Sequence, residues 1–375
     1  MIIQKREMLD AYMHSLAEKA SLSIGYPFAT DFNYEELHSL LRYPLFNLGD
    51  PFMESNYGVN SFTMEREVID FFADLFHAPK DNYSGYITSG GSESNLYGLY
   101  MARELHPNGI VYYSSDSHYS IPKSIRLLNM KSIEVGSTQN GEIDYDDLFL
   151  AVEQNRHLPA IIVANIGTTM TEAKDDLSKI RSILQKLVVE SHYIHCDAAL
   201  AGAYLPLLEG GSKFDFSNGA DSIACSGHKF IGSPIPCGVV VVKKDNKERL
   251  SHYISYIESV DSTITGTRNG LSSVFLWYAI RHFGKEGLLQ RAEECLSLAK
   301  YTYHRLLENN IDSYYNENAI TVLFEKPSEL LCQKWQLATK SGFSHLICMP
   351  GISKDQIDRF IEDVLNEREN NKATF

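Results

Sequence analysis

From about Glu65 to Lys243 short apolar runs alternate with longer amphipathic stretches. The runs 86–88, 110–113, 132–135, 161–164, 193–196, 222–225 and 239–242 have strand length, and helical spacing fills 92–105, 118–128, 144–154 and 176–187 between them. Strands alternating with helices of this length predict an α/β fold, with a mostly parallel sheet covered on both faces. Past Gly270 the pattern changes to two long helices, 271–283 and 288–307. The remainder reads strand 319–324, helix 328–339, strand 345–349 and helix 353–366, a small α+β unit whose polar tail from Glu367 is expected to fray. The first fifty-odd residues are aromatic and punctuated by Tyr26-Pro27, Tyr43-Pro44 and Asp50-Pro51, which suggests an arm. The expected division is therefore an arm (1–55), a large domain (56–285) and a small C-terminal domain (286–375).

Composition narrows the function. The chain has 375 residues, with 34 Lys+Arg against 48 Asp+Glu and a formal net charge of −14. That balance argues against a protein that grips phosphate backbones, which takes clustered basic residues. No apolar run approaches the roughly 18 residues of a spanning helix, and the N-terminus has no apolar core of a secretory signal. The expectation is a cytoplasmic protein without nucleic-acid or membrane partners. Cys196, Cys225, Cys237, Cys295, Cys332 and Cys348 show no two-residue spacing and read as buried reduced thiols. Asp144, Asp146 and Asp147 read as the start of a helix, where carboxylates meet the positive end of the dipole, so no metal site is expected.

Three segments can carry chemistry. In Thr88-Ser89-Gly90-Gly91-Ser92-Glu93-Ser94-Asn95, between a strand and a helix, two glycines and the first helical amides could cradle an anion. A plain tight turn with Ser92 as N-cap fits the same residues. In His192-Tyr193-Ile194-His195-Cys196-Asp197-Ala198-Ala199, strand alternation puts His192 and His195 on opposite faces, which weakens a metal reading, and puts His195 and Asp197 on one face. Asp197 would stand at the C-terminal end of a parallel strand, where open α/β sheets bind ligands, or else would cap a helix. In Ser226-Gly227-His228-Lys229, a lysine at a strand end beside Phe230 and Ile231 could be desolvated toward a free amine, or could be an ordinary surface lysine. Taken together, a phosphate cradle, an acid for a ring nitrogen and an amine for an aldehyde describe the needs of pyridoxal 5'-phosphate.

The order of these motifs, with Ser117-His118-Tyr119-Ser120 and Gly167-Thr168-Thr169 between them, resembles the group II pyridoxal-phosphate-dependent amino acid decarboxylases. Within that group the likeness is greatest to bacterial histidine decarboxylases and plant serine decarboxylases. The resemblance implies the aspartate-aminotransferase-like fold (fold type I), with a seven-stranded sheet in the large domain. It implies that Lys229 holds the cofactor covalently, that His118 stacks on its ring, and that Asp197 pairs with the ring nitrogen. Ala199 would pack below the ring and Thr168 would support its polar edge. Gly90, Gly91, Ser92, Ser226 and His228 would hold the phosphate. It also implies a homodimer with its site at the interface, where Thr265 and Thr267 reach the partner's phosphate; pairing of dimers into tetramers is left open. Ser92, Ser94 and Cys196 depart from the usual family pattern of Gly-Gly-Thr-Glu-Gly-Asn and His-Ala-Asp or His-Val-Asp.

An aminotransferase usually clamps the substrate carboxylate with an arginine from its small domain. The segment His345-Leu346-Ile347-Cys348-Met349 carries none, which favours decarboxylation. The expected activity is conversion of a small L-amino acid to its amine, with histidine to histamine first and serine to ethanolamine second. An aminotransferase or a non-catalytic homologue ranks below both.

Overall fold

All seven expected strand segments join one sheet in the computed structural model, which describes residues 2–54, 56–211, 213–249 and 251–373. They are β1 (Tyr83–Thr88), β2 (Ile110–Ser114), β3 (Lys131–Val135), β4 (Ala160–Asn165), β5 (His192–Asp197), β6 (Ser222–Ser226) and β7 (Gly238–Lys243). Their spatial order is β1-β7-β6-β5-β4-β2-β3. Only β7 runs against its neighbours; every other pairing is parallel. Every residue of β4 and β6 is buried, because helices cover both faces and leave no solvent side for polar alternation.

The helices between the strands lie where the pattern places them: Gly91–Leu105, Ser120–Leu127, Tyr145–Gln154 and Leu177–Lys186. Asp144 caps the third by accepting from the amides of Asp146 and Asp147, and Asp176 caps the fourth through Ser178. The Asp144 carboxylate is thus occupied as a helix cap. Parallel strands bring Asn165, Asp197 and Ser226 to one edge, and the pairings Thr88↔Gly238 and Ser226↔Gly238 add the end of β1 and the start of β7. That carboxyl edge is where the candidate motifs meet.

The contacts divide the chain into two units, Phe28–Ala292 and Met1–Pro27 with Glu293–Phe375. In the first, Phe46–Leu48 pairs antiparallel with Thr267–Asn269. In the second, a four-stranded antiparallel sheet orders Ser313–Tyr314, Thr321–Glu325, Phe343–Ile347 and Ala338–Lys340. A core of Trp335, Phe324, Phe360, Leu346 and Ile361 lies against it. The helical run Gly270–Glu308 is interrupted at Gly284 (φ 60°, ψ −173°), inside the gap the pattern leaves between its two long helices.

Within the first fifty-odd residues, Ile2–Ser21 form a helix and Glu35–Arg42 a 3₁₀ helix, elements that the sequence pattern did not specify. Two expectations change. Helix 328–339 is only Glu329–Lys334, because Gln336 takes a left-handed φ of 51° and Ala338–Lys340 becomes a strand. The tail beyond Glu367 stays helical to Ala373, where Arg368 bonds the Asn310 carbonyl (2.9 Å) and Glu325 (2.7 Å).

Candidate active site

After β1 the chain turns through Ser89 and Gly90 into helix Gly91–Leu105. Gly90 has φ 155° and ψ 171°, a region essentially reserved for glycine. Its carbonyl accepts the amides of Glu93 (3.0 Å) and Ser94 (3.1 Å), so the Gly91 and Ser92 amides have no acceptor among the described residues. Ser92 is exposed as the second residue of the helix, and Gly90 is its cap. A Cβ on Gly91 would stand 2.6 Å from Ser226 Oγ and 3.5 Å from the Ala199 methyl. The missing side chain is what lets this turn close onto the ends of β5 and β6. Gly238 does the same from β7, where a Cβ would lie 2.7 Å from both Ser94 Oγ and Thr88 Oγ1.

Asp197 ends β5 and is almost fully buried. Its Oδ1 accepts from the Ala199 amide (3.2 Å), and its Oδ2 accepts from Asn95 Nδ2 (2.8 Å). The loop beyond it is tied to β6, with the Ala198 amide on the Ala224 carbonyl (2.9 Å) and the Ser226 amide on the Ala199 carbonyl (3.1 Å). Strand alternation holds: His192 is exposed, while His195 is buried on the Asp197 face with its Nε2 3.0 Å from Asn95 Oδ1. Cys196 points the other way, to the Phe214 carbonyl.

Lys229 is partly buried just past β6. Burial lowers its pKa, and the negative charge of Asp197, foremost, works against that fall, with Cys225 and Glu172 behind it. His118, half-buried, is pushed down by burial; among charges, Asp197 raises its pKa and Lys229 lowers it, so the three groups share one electrostatic neighbourhood. His118 Nδ1 lies 2.8 Å from Ser120 Oγ. His228 lies beside Gly90, turned by a 2.8 Å contact between its Nδ1 and the Cys237 carbonyl. Thr168 Oγ1 is held inside its own loop, by the Ala173 amide (3.0 Å) and Thr171 Oγ1 (3.0 Å).

Thr265 is exposed and donates to Glu93 Oε1 (3.1 Å), whose other oxygen takes the Ser89 amide (2.9 Å). Thr267 is exposed in the short strand opposite Leu48. The structure thus brings Gly90, Gly91, Ala199, Ser226 and His228 together, sets Asp197, His118 and Lys229 in mutual electrostatic reach, and leaves both threonines on the surface.

Sequence reasoning missed Asn95, Ser120, His195 and Ser222 as site residues. The available signal was the spacing of small and polar side chains at 91, 94, 95 and 98, one face of a helix that would otherwise be apolar.

The donor set suits pyridoxal phosphate. Open amides and a hydroxyl would suit its phosphate, a buried carboxylate its ring nitrogen, and a lysine amine depressed by burial its aldehyde.

The pyridoxal-dependent decarboxylase conserved domain matches residues 59–324, a span that includes the glycine turn, Asp197 and Lys229. A histidine decarboxylase of Mesorhizobium japonicum is 47% identical over 97% of this chain and 98% of its own length. Serine decarboxylase 3 of Oryza sativa subsp. japonica is 44% identical over 92% of this chain and 78% of its own. L-methionine decarboxylase of Streptomyces sp. 590 superposes with a TM-score of 0.88 at 24% identity, over 96% of this chain and 94% of that one, which shows the shared fold. On the domain match and on relatives alike along nearly their full length, this chain belongs to the pyridoxal-dependent decarboxylases and takes pyridoxal 5'-phosphate as its cofactor.

Proposed function

We propose that the protein decarboxylates L-histidine, releasing histamine and carbon dioxide. The buried Asp197 carboxylate, fixed by Asn95 and Ala199 in the same electrostatic neighbourhood as Lys229, supports pyridoxal-phosphate chemistry, and the decarboxylase domain match over residues 59–324 is the observation that carries decarboxylation. The 47% identity to a histidine decarboxylase supports histidine as substrate. The plant serine decarboxylase at 44% makes serine the second candidate.

The chemistry that bound pyridoxal phosphate supplies is amine capture at an aldehyde and electron withdrawal by a protonated pyridine ring. Lys229 is the residue for the aldehyde carbon, because burial raises the share of its Nζ that is uncharged and nucleophilic. The same Nζ would take up or return a proton. Asp197 would accept the ring N–H and keep its proton in place through a charge-assisted hydrogen bond. His118 would cover one face of the ring and Ala199 the other, while Thr168 would border the polar edge. Gly90, Gly91, Ser92, Ser226 and His228 would hold the phosphate at the helix N-terminus.

The functional form is a homodimer with the site at the interface, where Thr265 and Thr267 serve the partner's phosphate. Helix Ile2–Ser21 supports association, since Met8, Leu9, Tyr12, Met13 and Leu16 are each 45–68% exposed along it. A cytoplasmic location is supported by six cysteines that are all free and buried.

The test is incubation of the purified holoenzyme with a panel of amino acids, quantifying carbon dioxide and amine. Histamine is expected. Ethanolamine from serine alone would move the substrate to serine, and keto acid without carbon dioxide would replace decarboxylation by transamination. Lys229→Ala should lose both turnover and the visible absorption of the bound cofactor. Light scattering of the wild type and of Leu9→Glu/Tyr12→Glu checks the dimer, with loss of the larger species expected in the variant.

A further inference from the structure

Asn95 lies at the centre of a buried hydrogen-bond network in which every proton can be assigned. Asp197 Oδ2 can only accept, so the group 2.8 Å from it is the Asn95 NH₂. Asn95 Oδ1 then faces His195 Nε2 at 3.0 Å, which must carry a hydrogen. The remaining nitrogen of a neutral His195, Nδ1, accepts the hydroxyl proton of Ser222 at 2.7 Å. Full burial keeps that imidazole neutral, with its pKa lowered to about 4. Gly98, three residues after Asn95, makes room for the ring, since a Cβ there would collide with it.

The second hydrogen of the Asn95 NH₂ reaches Ser120 Oγ at 3.3 Å. The Ser120 amide points at His118 Nδ1 (3.3 Å), and an amide only donates, so Nδ1 is an acceptor and the His118 proton sits on Nε2. Ser120 Oγ, receiving from Asn95, then passes its own hydrogen to the same Nδ1 at 2.8 Å. One amide orientation thus satisfies five side chains that come from a helix, two strands and a loop.

We propose that Asn95 is a positioning residue that fixes both polar groups flanking the cofactor ring, the Asp197 carboxylate directly and the His118 tautomer through Ser120, with His195 and Ser222 locking its amide from behind. This rests on the reading of Asp197 and His118 as ring contacts. Asn95 is itself buried and acts through Asp197 and Ser120, which it bonds directly.

The experiment compares wild type, Asn95→Ala, Asp197→Asn and the double variant after removal and re-addition of pyridoxal phosphate. It reads the cofactor dissociation constant, the pH midpoint of the visible absorption, and kcat separately from KM. Asn95→Ala should weaken cofactor binding about tenfold, move the pH midpoint by about half a unit or more, and lower kcat about tenfold with KM little changed. The double variant should add little to Asp197→Asn, because one acts through the other. A pH midpoint unmoved in Asn95→Ala, while Asp197→Asn moves it, overturns the positioning role and leaves the ring contact standing. A midpoint that Asp197→Asn also leaves unmoved overturns the ring contact, and the positioning role with it. If Asn95→Ala does not fold, Ser222→Ala takes its place, with a smaller shift of the same kind expected and an unchanged midpoint again overturning the proposal.

Discussion

Arg268 and Glu65 form an ion pair sealed inside the large unit, with side chains 4% and 0% exposed. Glu65 spends its other capacity on the chain leading to the glycine turn: Oε1 accepts the Ile87 amide (2.8 Å) and Oε2 the Asn47 side chain (2.6 Å). Arg268 also donates to the Gly49 carbonyl (2.8 Å). Removing one partner of such a pair leaves the other charge buried and uncompensated, which costs about 3–5 kcal/mol. Glu65→Ala should lower the unfolding free energy by that amount, read as a lower urea midpoint at unchanged slope. It should also shed pyridoxal phosphate faster, because β1 leads into the turn proposed to hold the phosphate.

Gly91→Ala tests the cradle. The new methyl would be 2.6 Å from Ser226 Oγ, closer than a real Cβ approaches any neighbour, and would push apart two residues proposed to hold the phosphate. Thermal stability should fall by about 1–3 kcal/mol, since the buried Ser226 side chain must shift to admit the methyl. Cofactor affinity, titrated by fluorescence on the apoprotein, should fall by at least about tenfold. Gly58→Ala is the control, because nothing lies within 4 Å of a Cβ there. An affinity equal to wild type in Gly91→Ala would remove the phosphate from this turn.

Much of this site was legible because its parts are local. Two adjacent glycines between a strand and a helix, and an acid or a lysine ending a strand, each sit within a few residues of the feature that gives them meaning. Asn95 was not legible, because the partners that define it, His195 and Asp197, lie 100 and 102 positions away and meet it only through the parallel sheet. The sheet itself was readable, since burial on both faces writes uninterrupted apolar runs into β4 and β7. Helix Ile2–Ser21 hid for the opposite reason: its apolar side chains face solvent and leave no core-facing stripe to read.

Glu172 offers a test of how Lys229 is tuned. It is fully buried at φ 53°, its carboxylate accepts from the Tyr204 hydroxyl, and Lys174 Nζ lies 3.9 Å away. Its charge is one of those that raise the Lys229 pKa against burial. Glu172→Gln removes that charge, so Lys229 loses its proton at lower pH. The rate at which apoprotein takes up pyridoxal phosphate should therefore reach its alkaline plateau at lower pH than in wild type. Stability should drop by about 1 kcal/mol, as the Tyr204 hydroxyl passes from a charged to a neutral acceptor. An unshifted uptake profile would show that Glu172 acts on the fold alone.

The stability of the apoprotein should fall on the acid side through His195. Burial lowers its pKa to about 4, against about 6.5 in an unfolded chain. Between those values the unfolded chain binds a proton that the native state refuses, so stability is complete above about pH 6.5 and lost as pH falls toward 4, by about 3 kcal/mol at the acid end. Asp175 pulls the other way. Burial raises its pKa to about 7, so the native state keeps a proton there that the unfolded chain has released, and that contribution is lost as pH rises toward 7. The His195 contribution is therefore read as a difference between two proteins. Urea unfolding of wild type and His195→Gln at pH 7.5, 6 and 5 should show the wild-type advantage shrinking as pH falls. An advantage that stays constant across the three would mean that His195 titrates in the native state as it does in the unfolded chain, with no shift from burial. The Asn95 amide would then lose its neutral partner below about pH 6.5.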